Sequence, residues 1–146
     1  MSRSSVRLDL QALLEDGLSG MDIEVTLGSA SNETPAEGVW MWDPEESDLE
    51  FSLLAGAGTT MDDIWSFSLV IVSDRPGYGA ADAESRVQAI ADVCLDVILD
   101  NRNLDGNDEV LSMLPTSMRG PITGPTTEGA LSAIHLTIEI HERTGP

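Results

Sequence analysis

Apolar and polar positions along the chain fall into segments of distinct period. Leu10, Leu13, Leu14 and Leu18 recur at helical spacing, and Gly17 and Gly20 close the pattern, which predicts a short amphipathic helix over residues 7–19. Ile23, Val25 and Leu27 then alternate with Asp22, Glu24 and Thr26, the two-residue period of a half-buried strand. Residues 28–38, with Ser, Asn and Pro, read as loop. Val39-Trp40-Met41-Trp42 is a short apolar strand, followed by the acidic turn Asp43-Pro44-Glu45-Glu46. Leu49, Phe51 and Leu53 alternate again, until Gly56-Ala57-Gly58-Thr59-Thr60 interrupts them.

The clearest strand places Trp65, Phe67, Leu69 and Ile71 on one face and Ser66 and Ser68 on the other. Strands so close in sequence suggest an antiparallel hairpin or meander. Residues 73–81 form a turn around Arg75-Pro76-Gly77, and Asp82 stands where an N-cap would open a long helix over residues 83–100. Its apolar face is Val87, Ile90, Ala91, Cys94, Val97 and Ile98. Residues 101–107 turn. Residues 115–129, with Pro115, Gly120, Pro121, Gly124, Pro125 and Gly129, read as a long irregular connection. Ile134, Leu136, Ile138 and Ile140 alternate with His135, Thr137, Glu139 and His141 in a closing strand. This order lacks regular βαβ alternation. It predicts an α+β fold over residues 1–146 as a single domain: an antiparallel sheet with an N-terminal helix and one long helix packed on it.

At 146 residues with 41% hydrophobic composition, such a chain buries roughly two thirds of its unfolded surface without staples. Charge changes the picture more. The net charge is −19, and all seven basic residues are arginine. Gripping DNA requires Lys or Arg to displace phosphate counterions, so this surface argues against direct DNA binding, and equally against an anionic membrane. No stretch approaches the roughly 20 apolar residues of a membrane span, and the N-terminus carries no run suited to a signal peptide. The one cysteine permits no internal disulfide. These features lead to the expectation of a soluble, intracellular protein.

Candidate chemistry is sparse. Asn101-Arg102-Asn103-Leu104-Asp105-Gly106 imitates the start of a calcium loop, but Asn101 stands in place of Asp and Ser112 in place of the closing bidentate Glu; turn chemistry at a helix exit explains these residues without a metal. Gly77-Tyr78-Gly79-Ala80-Ala81-Asp82 has the setting of a dinucleotide fingerprint, yet Asp82 occupies the third glycine position and would face the pyrophosphate with a negative charge. His135 and His141, on one strand face, stand roughly 20 Å apart and share no metal ion. Cys94, on the apolar helix face, reads as a small hydrophobe. No G-x-S-x-G elbow occurs, and the pairs Asp62-Asp63 and Glu45-Glu46 are expected by chance among 26 acidic residues. No catalytic residue, cofactor or metal is predicted. One feature resists this levelling: Glu84, Asp92, Asp96 and Asp100, with Gln88 completing the row, form an i, i+4 ridge roughly opposite the apolar face of the long helix. Like charges at this spacing cost a few tenths of a kcal/mol per pair, and Asp100 also opposes the helix dipole. The ridge is either a solvated face or a surface meant for an arginine of another subunit, a cation, or a channel passing a polyanion.

The order of elements resembles the tail terminators of long-tailed bacteriophages. Leu8-Asp9-Leu10-Gln11-Ala12-Leu13-Leu14 followed by Ile23-Glu24-Val25 resembles that family's opening helix and strand. Asp63-Ile64-Trp65-Ser66-Phe67-Ser68-Leu69-Val70-Ile71-Val72 with the helix from Ala83 resembles its Trp-containing strand, turn and long helix. Leu131-Ser132-Ala133-Ile134-His135-Leu136-Thr137-Ile138-Glu139-Ile140 resembles its final strand. The likeness is one of element pattern, without a diagnostic short motif. It implies a virion protein of the head–tail junction, made in the host cytoplasm. That protein would form a ring, usually a hexamer, on the major tail tube protein, stop tube growth and present a surface to the head connector or stopper protein. DNA would pass its lumen without specific binding. The family has no catalytic residues, so none is carried over. Carboxylates fit such a lumen, since a basic wall would hold phosphates in transit. Two alternatives stand beside this reading: another junction ring protein, connector or stopper, of which a stopper is expected to look more all-β, and a soluble binding domain or enzyme, for which no convergent set of titratable residues is seen. Residues 115–129 are expected to order on contact with a neighbouring ring.

Overall fold

The computed structural model describes residues 3–21, 23–27, 37–42, 47–52, 60–74, 77, 79–104, 110–126 and 129–144. The chain opens with α1 (Arg3–Gly17), then β1 (Glu24–Leu27), β2 (Glu37–Trp42), β3 (Ser47–Ser52) and β4 (Thr60–Ser73). It continues with α2 (Ala80–Asp100), β5 (Val110–Thr126) and β6 (Gly129–Thr144). This is the expected α+β architecture of an N-terminal helix, a longer helix and a mostly antiparallel sheet. Strand order is β1-β2-β4-β6-β5, with β3 also paired to β4. β2 lies against residues 68–73 of β4 and β3 against residues 60–65. The two short strands thus follow one another along one edge of β4, and β6 takes the other edge.

Alternation decides which face is buried. Trp65, Phe67, Leu69 and Ile71 of β4 and Ile134, Leu136, Ile138 and Ile140 of β6 point into the core, all at most 2% exposed. Both helices pack on this inner face: α2 against β4, β5 and β6, and α1 against β1 and α2. α1 contributes Val6, Leu10 and Leu14, an i, i+4 row that Leu18 continues just past the helix end, to the same cluster as α2's Val87, Ile90, Ala91, Cys94 and Ile98. Gly17 lets the helices approach, because a Cβ there would stand 2.6 Å from Val97 Cγ2. The outer face carries Ser66, Ser68, Val70 and Val72 of β4 with His135, Thr137 and Glu139 of β6.

Several expectations are corrected. Residues 115–129 are not an irregular connection: nearly all of them belong to β5 and the start of β6, paired antiparallel from Val110 to Thr126. The prolines are tolerated because β5 is an edge strand, where a missing donor leaves no ladder bond unmade on the open side. Register shifts between Val110 and Ser112, Pro115 and Ser117, and Arg119 and Ile122 absorb the misfits. Gly120 adopts φ +111, and a Cβ there would sit 2.7 Å from the Ala133 carbonyl oxygen, so the bend is open to glycine alone. With this segment already paired to β6, ordering on contact with a neighbouring ring is not needed. β1 and β2 run parallel rather than antiparallel, and the hairpin joins β3 to β4, while β2 pairs with β4. α1 begins four residues before the predicted start of residue 7, and Glu37 and Gly38, read as loop, open β2. α2 begins at Ala80 with Gly79 as N-cap, so Asp82 lies in the first turn, where its charge still complements the dipole. The turn predicted at residues 43–46 lies outside the described residues, as do residues 56–59 of the break predicted at 56–60, whose last residue, Thr60, opens β4.

Candidate functional site

The ridge stands where the helical period puts it. α2 presses Ala83, Val87, Ile90, Ala91, Cys94 and Ile98 onto the sheet, which turns Asp92, Asp96 and Asp100 outward, all exposed. Glu84 sits at the flank nearest β5, where the Thr123 hydroxyl donates to its Oε1 at 2.7 Å. Gln88 donates from Nε2 to Asp92 Oδ1 at 3.0 Å, placing an amide between two carboxylates of the row. Leu99 lies beside them, 48% exposed. The ridge is thus a surface with an apolar component, not a convergent pocket.

The glycine-rich turn and the β5–β6 hairpin enclose an open cleft of about 600 Å³ lined by Gly77, Gly79, Ala80, Glu84, Thr123 and Pro125, among others. Among the described lining residues the titratable group is Glu84. With Asp82 in the first turn of the same helix, a pyrophosphate there would meet two carboxylates, and the cleft does not suit a dinucleotide. The calcium-like turn behaves as a helix exit. Asn101 donates from Nδ2 to Val97 O at 2.8 Å and from its backbone N–H to Ile98 O, so it serves as a C-cap. Asp105 and Gly106 lie outside the described residues.

Cys94 is buried, and burial pushes its thiol up to about 12. It stays protonated at neutral pH and is no nucleophile. His135 and His141 sit half-buried on the outer face of β6, six residues apart. Among the described residues no group of His, Cys, Asp or Glu is arranged to hold a metal ion.

Two arrangements escaped sequence reasoning. Arg86, on the flank of α2, donates from Nε to Glu37 Oε2 at 2.6 Å and from Nη2 to Met21 O at 2.8 Å. Ser73 Oγ donates to the same Glu37 oxygen at 3.3 Å. Glu37 is 4% exposed, so α2, β2, the end of β4 and the α1–β1 turn are clasped by one buried carboxylate and its guanidinium. Partners 49 residues apart leave no local signal. The second is on the outer face: register sets Arg119 of β5 directly opposite His135 of β6. Reading residues 115–129 as irregular hid this pair.

No family model matches the chain, and no curated protein sequence matches it. Among solved structures, a chain of the "Virion of native gene transfer agent (GTA) particle" superposes with a TM-score of 0.53 at 16% identity, covering 95% of this chain and 92% of that one. At this identity the likeness is one of fold, and it extends over nearly the whole of both chains.

Proposed function

We propose that the chain is a structural protein of a phage-like virion, and specifically a tail terminator: a single-domain subunit of a ring, a hexamer by family resemblance, that caps the tail tube. In this reading it stops tube growth, binds the major tail tube protein on one side and the head connector or stopper on the other, and lets DNA through its lumen. It assembles in the host cytoplasm and ends at the head–tail junction. The observation that carries the reading is the near full-length fold likeness to a chain of a gene transfer agent virion, joined to the order of elements the sequence shares with tail terminators. The charge supports it physically. In a chain at net −19, carboxylates on a channel wall would repel phosphates and allow passage without a salt-dependent hold.

The test is electron microscopy of particles produced without this chain. Tubes of uncontrolled length, unjoined to filled heads, are expected. Particles with tails of normal length attached to filled heads would refute the tail-terminator role.

A further inference from the structure

We propose that the β5–β6 half of the outer sheet face docks the acidic ridge of α2 from a second copy of the chain. The two surfaces lie on opposite sides of the molecule. α2 covers the inner face and turns Asp92 and Asp96 away from the sheet, whereas Arg119 and His135 point from the outer face. They cannot meet within one chain, and between copies they meet head to tail.

Charge selects the partner. The chain carries 26 acidic residues, yet from Ser66 to Val72 of β4 and across β6 and β5, Glu139 is the one carboxylate among the described outer-face side chains. Two molecules at −19 repel except where such a depleted patch meets a concentrated one. Arg119 is exposed and has no ion-pair partner among the described residues, and His135 lies directly across from it. Carboxylates four apart on a helix stand roughly 6 Å from one another, so Asp92 and Asp96 together bracket one guanidinium.

Apolar surface matches as well. Ile122, 63% exposed, neighbours Arg119 on the outer face, and Leu99, 48% exposed, neighbours Asp96 on the ridge. A channel wall has no use for an exposed leucine, while a contact surface buries it. This assigns the ridge to an interface, and the lumen's negative charge falls to other carboxylates. A heterologous contact leaves one free ridge and one free face on every copy. It therefore propagates, and closes into a ring when the rotation per step divides a full turn. The inference stands on these surfaces and does not require the tail-terminator reading.

The test is native mass spectrometry of the full chain across a concentration series, with Arg119→Glu, with Asp92→Arg/Asp96→Arg, and with all three together. All three positions are exposed, and circular dichroism checks that each variant keeps its fold. The wild type is expected to form species larger than dimers. Either charge reversal is expected to weaken association at least about tenfold, and the triple variant to recover most of the loss. A wild type that stays monomeric or stops at a dimer would overturn the proposal, as would charge reversals without effect or a triple variant without recovery. Head-to-tail association combined with normal tails in particles lacking the chain would sink the tail-terminator reading and leave this contact standing.

Discussion

Phe67→Ala is expected to destabilise the fold by about 4 kcal/mol, the range for emptying a fully buried aromatic site. Phe67 is 0% exposed and stacks in tilted fashion on Trp65, with ring centroids 5.5 Å apart. It also occupies the stretch of β4 between Ser68, the last partner of β2, and Trp65, the first partner of β3. Among the described residues, none pairs with β4 on that edge at this level. The neighbours on the other edge are held by the β4–β6 ladder, where Phe67 faces Ile138, so collapse into the cavity is limited. Domains of this size have only about 5–15 kcal/mol of net stability, and one substitution thus removes a large share. Chemical denaturation checks it. The midpoint should fall sharply at nearly unchanged slope, and a loss under about 1.5 kcal/mol would mean that the core repacks around the site.

Arg86→Ala is expected to cost about 3 kcal/mol, the lower end of the range for stripping a partner from a buried ion pair. The lower end applies because the Arg86 side chain is 25% exposed, while that of Glu37 is 1% exposed. The variant takes the Arg86 guanidinium away from the buried Glu37 carboxylate and also removes the hydrogen bond to Met21 O. The double variant Glu37→Met/Arg86→Met is expected to lose much less than Arg86→Ala, since an apolar pair of similar volume needs no charge compensation. Equal losses in the two variants, measured by the same denaturation, would show that the packing of the Arg86 stem and not the charge matters.

Legibility in the sequence followed the regularity of each pattern. The inward rows of β4 and β6 and the buried face of α2 were readable because burial enforces strict periods of two and 3.6. β5 was not readable. Pro115, Pro121 and Pro125 oppose a strand locally, and only pairing with the regular β6 imposes one; tertiary context overrides propensity there. The parallel β1–β2 pairing was also hidden, since strands of four and six residues carry no signal of direction. At the candidate site, the ridge of α2 followed from helical spacing. Its proposed counterpart did not, because Arg119 and His135 come together through strand register across a hairpin. The same limit hid the Arg86–Glu37 clasp.

Electron cryo-microscopy of intact particles, with this chain traced into the density, decides where the chain sits in the virion. For a tail terminator, copies of the chain are expected closed into a ring at the top of the tail tube, beneath the connector, with DNA or an open lumen at the centre. Density for the chain at any other position in the particle, or its absence from finished particles, would contradict that role.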